Sequence, residues 1–147
     1  YRRQRQMCIR DRDEQYRQRW EERAVKASSA DEKVLAFFDM AIEAEPQREF
    51  RGSPFLNAAT EYPRPDTESE QRIVQTCLNN RTWMHDTLTE LLSNKNGYDS
   101  SNQADELLIF LDGGMSGARL LRDVAPLRKA RDLAESQLGA PPADYSI

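Results

Sequence analysis

A chain of 147 residues suits one domain with a real core, and the absence of any run of about 18 apolar residues excludes a membrane-spanning helix. Formal net charge is −4, but residues 1–12 hold five arginines against Asp11, which leaves −8 from residue 13 onward. Such an acidic body is a poor non-specific nucleic-acid binder, because phosphate contact needs lysine and arginine gathered on one face.

Residues 1–12 read Tyr-Arg-Arg-Gln-Arg-Gln-Met-Cys-Ile-Arg-Asp-Arg. They resemble a peptide produced when a sequencing adapter is translated in frame, and on that ground they are expected to be foreign to the fold. The competing reading is a basic arm that sets Arg2, Arg3, Arg5, Arg10 and Arg12 on phosphates. With Cys8 in this segment, Cys77 is the single cysteine of the body. One cysteine cannot staple a chain to itself, which favours a reducing, cytoplasmic setting. Cys77 reads as a small buried apolar residue, with a redox sensor as the alternative.

From residue 13 the pattern is all-α, since glycine is sparse before position 113 and no strand-type alternation is sustained. Tyr16, Trp20 and Ala24 recur at helical spacing through residues 13–26. Ser29-Ala-Asp-Glu32 predicts a capping box opening a helix with Val34, Phe37, Phe38, Ala41 and Ile42 on one face, ended by Pro46. Ser53-Pro54 pairs an N-cap with proline at the first helical position, and a short helix follows to Tyr62. A second capping box, Thr67-Glu-Ser-Glu70, begins a helix to about Asn94 striped by Val74, Cys77, Leu78, Arg81, Met84, Leu88, Leu91 and Leu92, with Gly97 as its stop. Ser100 or Ser101 caps the next helix, striped by Ala104, Leu107, Leu108, Leu111, Met115 and Ala118. Asp123 caps the last, with Leu127, Ala130, Leu133, Ala134 and Leu138, and residues 139–147 are expected to be a disordered tail.

The segment Phe50-Arg-Gly-Ser-Pro-Phe-Leu-Asn-Ala-Ala-Thr-Glu-Tyr-Pro63 is the most distinctive in the chain. It resembles the opening of the ligand-binding half of TetR-family transcriptional regulators, and the likeness extends over residues 13–138. Ser53 stands where relatives often carry cysteine. The resemblance implies a helical effector-binding and dimerisation domain of about six helices, whose last two pair with their copies across a two-fold axis as a four-helix bundle. It implies a transcriptional repressor that senses a small molecule and reads DNA through a helix-turn-helix, and no such segment precedes residue 13 here. A stand-alone helical adaptor that dimerises and binds another protein is the alternative.

The residues give little support to catalysis. His85 is the single histidine, so no two-histidine metal motif can be written, and none of metal, catalytic residue or cofactor is expected. Cys77 and His85 lie eight residues apart, about 12 Å along one helix, too far for direct proton transfer. Aromatic and polar side chains instead suggest a site for an apolar or aromatic effector: Phe37, Phe55 and Trp83 as walls, with Asn57, Arg81 and His85 as anchors. Ordinary core packing is the other reading of the aromatics.

Gly113, Gly114 and Gly117 interrupt an otherwise good helix at roughly 1 kcal/mol each relative to alanine, so close approach of another backbone is expected there. A dimer seam of Gly113, Gly114, Gly117, Ala118, Leu127, Ala130 and Leu138 is the preferred reading. A kink and close packing within the chain are the others.

Overall fold

The computed structural model describes residues 2–140, with side-chain surroundings from residue 8 onward. These residues form six helices and no strand: α1 (Arg2–Lys26), α2 (Ala30–Gln47), α3 (Pro54–Glu61), α4 (Glu68–Asn96), α5 (Ser101–Leu121) and α6 (Ala125–Gly139). None of them is long and apolar enough to cross a membrane.

The predicted boundaries hold where cap chemistry is unambiguous. Thr67 and Glu70 close a reciprocal box, Glu70 N–H donating to Thr67 Oγ1 at 3.2 Å and Thr67 N–H to Glu70 Oε2 at 2.9 Å. Gly97 ends α4 in the left-handed region, at φ 81°. Ser29 caps α2 as expected, its Oγ accepting from Glu32 N–H at 3.2 Å, while the reciprocal arm moves by one residue, Glu32 accepting from Ser28 N–H at 2.8 Å. Elsewhere a neighbour takes over the cap. Neither Ser100 nor Ser101 caps α5 through its hydroxyl, and the Asp99 carboxylate accepts from Ser101 N–H at 3.0 Å. Asp123 accepts from Ala125 N–H at 2.9 Å, one residue before the formal cap of α6 at Val124.

Helix α1 runs without a break through residue 13, where the sequence suggested a boundary. Ile9 continues the face of Asp13, Tyr16 and Trp20 and is 5% exposed against Phe55, Ile73 and Cys77, so the end of the expected foreign segment packs on the body. The tail positions 141–147 lie outside the described residues. On α4 the buried line is Ile73, Cys77, Asn80, Met84, Leu88 and Leu92. Val74 sits at its edge and Leu78 is exposed, because the first half of α4 is wedged between α1 and α3 and turns a slightly different face inward. Asn80 makes that contact specific: its Nδ2 donates to Asp13 Oδ1 at 3.0 Å, and Arg17 pairs with the same carboxylate at 3.1 Å.

The main core lies between α2, α4, α5 and α6, around Phe37, Phe38, Leu92, Leu107 and Leu127. Arg122, at φ 54°, turns the chain so sharply that α6 folds straight back on α5. This hairpin corrects the seam expected from the glycine cluster. A Cβ on Gly114 would lie 2.8 Å from Ala130 Cβ, and one on Gly117 would lie 2.9 Å from Pro126 Cβ. Ala118, Leu127, Ala130 and Leu138 are buried in the same α5–α6 contact. The backbone that approaches is therefore the chain's own, and Gly113 alone of the seven residues faces open space.

Candidate functional site

The distinctive segment owes its shape to a buried charge. Glu45 lies in the last turn of α2 on its apolar side, with its side chain 1% exposed. Its Oε2 accepts from Gly52 N–H at 3.0 Å, and its Oε1 accepts from Arg48 Nη1 at 2.9 Å. Arg48 Nη1 also donates to the Gly52 carbonyl at 2.7 Å, so one ion pair holds both the N–H and the carbonyl of Gly52. Burial lowers the Arg48 pKa, and the Glu45 carboxylate works against that shift. Between these anchors Glu49, Phe50 and Gly52 all adopt positive φ, at 57°, 56° and 80°. The turn delivers Ser53 as N-cap of α3, its Oγ accepting from Leu56 N–H at 3.3 Å, and points Phe55 inward.

Behind that segment lies a cavity of about 860 Å³ bounded by α1 to α5. Tyr16 on α1, Met40 on α2, Phe55 on α3, Met84 on α4, and Leu111 and Met115 on α5 give it an apolar floor. Ser53, Pro54, Phe55 and Leu56 of the distinctive segment form one wall. Polar groups gather on the other sides: Arg81 donates through Nη2 to both Asp112 oxygens at 2.6 Å, and Arg19 and Arg48 also border the space. Burial pushes the Tyr16 phenol well above its ordinary range, keeping it neutral and able to donate a hydrogen bond. The volume and mixed lining are those of a small-molecule site.

Of the residues singled out from the sequence, Phe55 and Arg81 line this cavity and the other four do not. Phe37 is buried in an aromatic cluster, stacked on Trp20 at 5.1 Å and packed edge-on against Trp83 at 5.8 Å. Trp83 is covered by the Arg17 guanidinium at 5.2 Å. These rings fill the core because α1, α2 and α4 converge there. Asn57 is engaged by the Arg51 carbonyl and by Arg119, and its surroundings are a smaller recess of about 240 Å³. His85 bridges α4 to α5 through Asp105, Nε2 to Oδ1 2.8 Å. Tyr16, Arg19, Glu45 and Arg48 were missed. Glu45 carried a readable signal, since it falls one turn beyond Ala41 on the apolar stripe of α2.

Cys77 borders the cavity, and burial pushes its thiol up to about 11 from an ordinary 9.0. At pH 8 it should hold about a hundredfold less thiolate than an unperturbed thiol. A thiol reagent is expected to modify exposed Cys8 rapidly and Cys77 only on unfolding, with mass spectrometry of the digested product reading the sites. The folded state holds this proton more tightly, so the associated stability is complete below pH 9 and is lost as pH rises through 11. Modification of Cys77 at the rate of Cys8 at pH 8 would show the thiol to be solvated. No protein-family model, curated protein or solved structure matches the chain.

Proposed function

We propose that this chain is the effector-sensing and dimerising domain of a TetR-like transcriptional regulator, a repressor acting in the cytoplasm. The observation that carries this reading is the 860 Å³ cavity walled by the Ser53–Pro54–Phe55 part of the segment on which the family resemblance rests. The effector would be a small apolar or aromatic molecule. DNA reading would belong to a helix-turn-helix not contained in these 147 residues. Tyr16 and Arg19 put α1 in the cavity wall, so a ligand favouring one position of α1 over another would bias whatever α1 is joined to.

In this reading two copies pair through the outer face of α5. Ile109, Gly113, Ser116 and Leu120 follow one another at helical spacing, with Ile109 66% and Leu120 82% exposed. Gly113 offers room for a second backbone, and Leu121 and Leu133 extend the apolar surface beside it. The test joins both halves. A panel of apolar and aromatic compounds should contain one that raises the melting temperature, and Ala44→Phe, which places bulk in the cavity, should abolish that rise. Sedimentation velocity should give a dimer for the unaltered chain and a folded monomer for Leu120→Glu. A chain that is monomeric at tens of micromolar and responds to no compound would overturn the reading.

A further inference from the structure

The charges around the cavity are unevenly matched. Of the carboxylates that border it, Glu45 is held by Arg48, Asp112 by Arg81 and Glu43 by Arg23. Arg19 and Lys26 also border it, and neither side chain makes a hydrogen bond or ion pair with another described residue, which leaves Glu22 alone to offset them. Arg12, at the end of the N-terminal segment, adds a further cation with no ion pair to another described residue. Nor are the paired guanidiniums used up. Arg48 donates only through Nη1 and Arg81 only through Nη2, so each keeps N–H groups for another acceptor. Arg19 is close enough to Arg48 to depress its pKa, and Arg19 and Arg81 both act on the Tyr16 phenol between them. A chain with a net charge of −4 thus gathers like-charged arginines about one partly apolar space, where low-dielectric walls concentrate their field.

We infer that the ligand of this cavity is an organic carboxylate with an apolar body. Its carboxylate meets Arg19 and the free edge of Arg48, and its hydrocarbon or aromatic part lies on Met84, Leu111 and Met115. Planar guanidiniums suit a carboxylate's two oxygens, and methionine side chains adapt to apolar shapes that differ in detail. A cationic ligand would meet Arg19 and Lys26 unrelieved, and a neutral one would leave their mutual repulsion in place. The inference rests on the cavity being the effector site and adds the charge of the occupant.

Calorimetric titration of the full chain with decanoate, decan-1-ol and decyltrimethylammonium separates the two claims. Decanoate is expected to bind about tenfold or more tighter than decan-1-ol, and the cation weakest. Arg19→Gln should reduce the preference to about twofold, whereas Lys129→Gln, the same charge change on the outer side of α6, should leave it intact. Salt should weaken decanoate alone. Equal affinity for acid and alcohol, or a preference that survives Arg19→Gln, overturns the carboxylate inference and leaves the cavity as a neutral effector site. Binding of none of the three, with no hit in the compound panel, overturns both.

Discussion

Gly114→Leu is expected to destabilise the chain by about 3 kcal/mol or more, lowering its melting temperature by roughly 10 °C. The Cβ alone would stand 2.8 Å from Ala130 Cβ and 3.2 Å from Leu127 Cα, and backbone cannot turn aside as a side-chain tip can. Helices α5 and α6 must separate, which opens the packing around Ala118, Leu127 and Ala134, all fully buried. Better helix propensity returns at most about 1 kcal/mol. Gly113→Leu is the matched control, because its Cβ meets nothing within 4 Å and the propensity gain stands unopposed. Compared with Gly114→Leu in the monomeric Leu120→Glu background, it should keep or raise the melting temperature, whereas without that change the added bulk on the outer face of α5 opposes pairing with a second copy. Equal melting temperatures for the two variants would show that α5 and α6 are not in backbone contact at Gly114.

This pair of glycines also marks how far the sequence could be read. Glycines in a helix announce that another backbone comes near, and that inference was sound at Gly114 and Gly117. Whose backbone comes near is not written in the glycines, and resemblance to a dimeric family pointed outward. The deciding signal lay in the connection after Leu121, too short to carry α6 anywhere except back along α5. Helix number and order were legible for a simpler reason: proline, glycine and capping residues interrupt each apolar stripe where the chain turns.

The cavity was harder to read because periodicity identifies an inward face without telling a filled interior from a partly empty one. Phe37, Phe55 and Trp83 share that inward character. Phe37 and Trp83 interlock with Trp20 and Tyr16, while Phe55 lies where Ala41, Ala44 and Ala59 leave space uncovered. Small residues on two helices, α2 and α3, make the gap, and no single stripe contains them. The arginines escaped notice for the opposite reason. Arg19 is polar and exposed in every local sense, and its place beside the cavity follows from the angle at which α1 crosses α2 and α4.

Glu45→Ala is expected to cost about 2–4 kcal/mol, more than any surface substitution in this chain. The carboxylate is 1% exposed and satisfies two donors, so its removal leaves Gly52 N–H buried without a partner and Arg48 without its counter-ion. Arg48 is 31% exposed, and the water available to it keeps the cost below that of a fully buried pair. The loop adds its own share, since Glu49 and Phe50 hold left-handed conformations that side chains resist, and Glu45 fixes the turn that contains them. Glu45→Gln should recover part of the loss: an amide oxygen can still accept from Gly52 N–H, but an NH2 group turned towards Arg48 cannot. Urea unfolding of the two variants should therefore rank alanine below glutamine below the unaltered chain, with similar slopes if only the native state is weakened. Affinity for an uncharged ligand such as decan-1-ol should fall in the same order at temperatures where all three remain folded, because the loop sets the position of Phe55 in the cavity wall. A cost under about 1 kcal/mol for Glu45→Ala, with affinity unchanged, would show that the Gly52 turn holds without the ion pair.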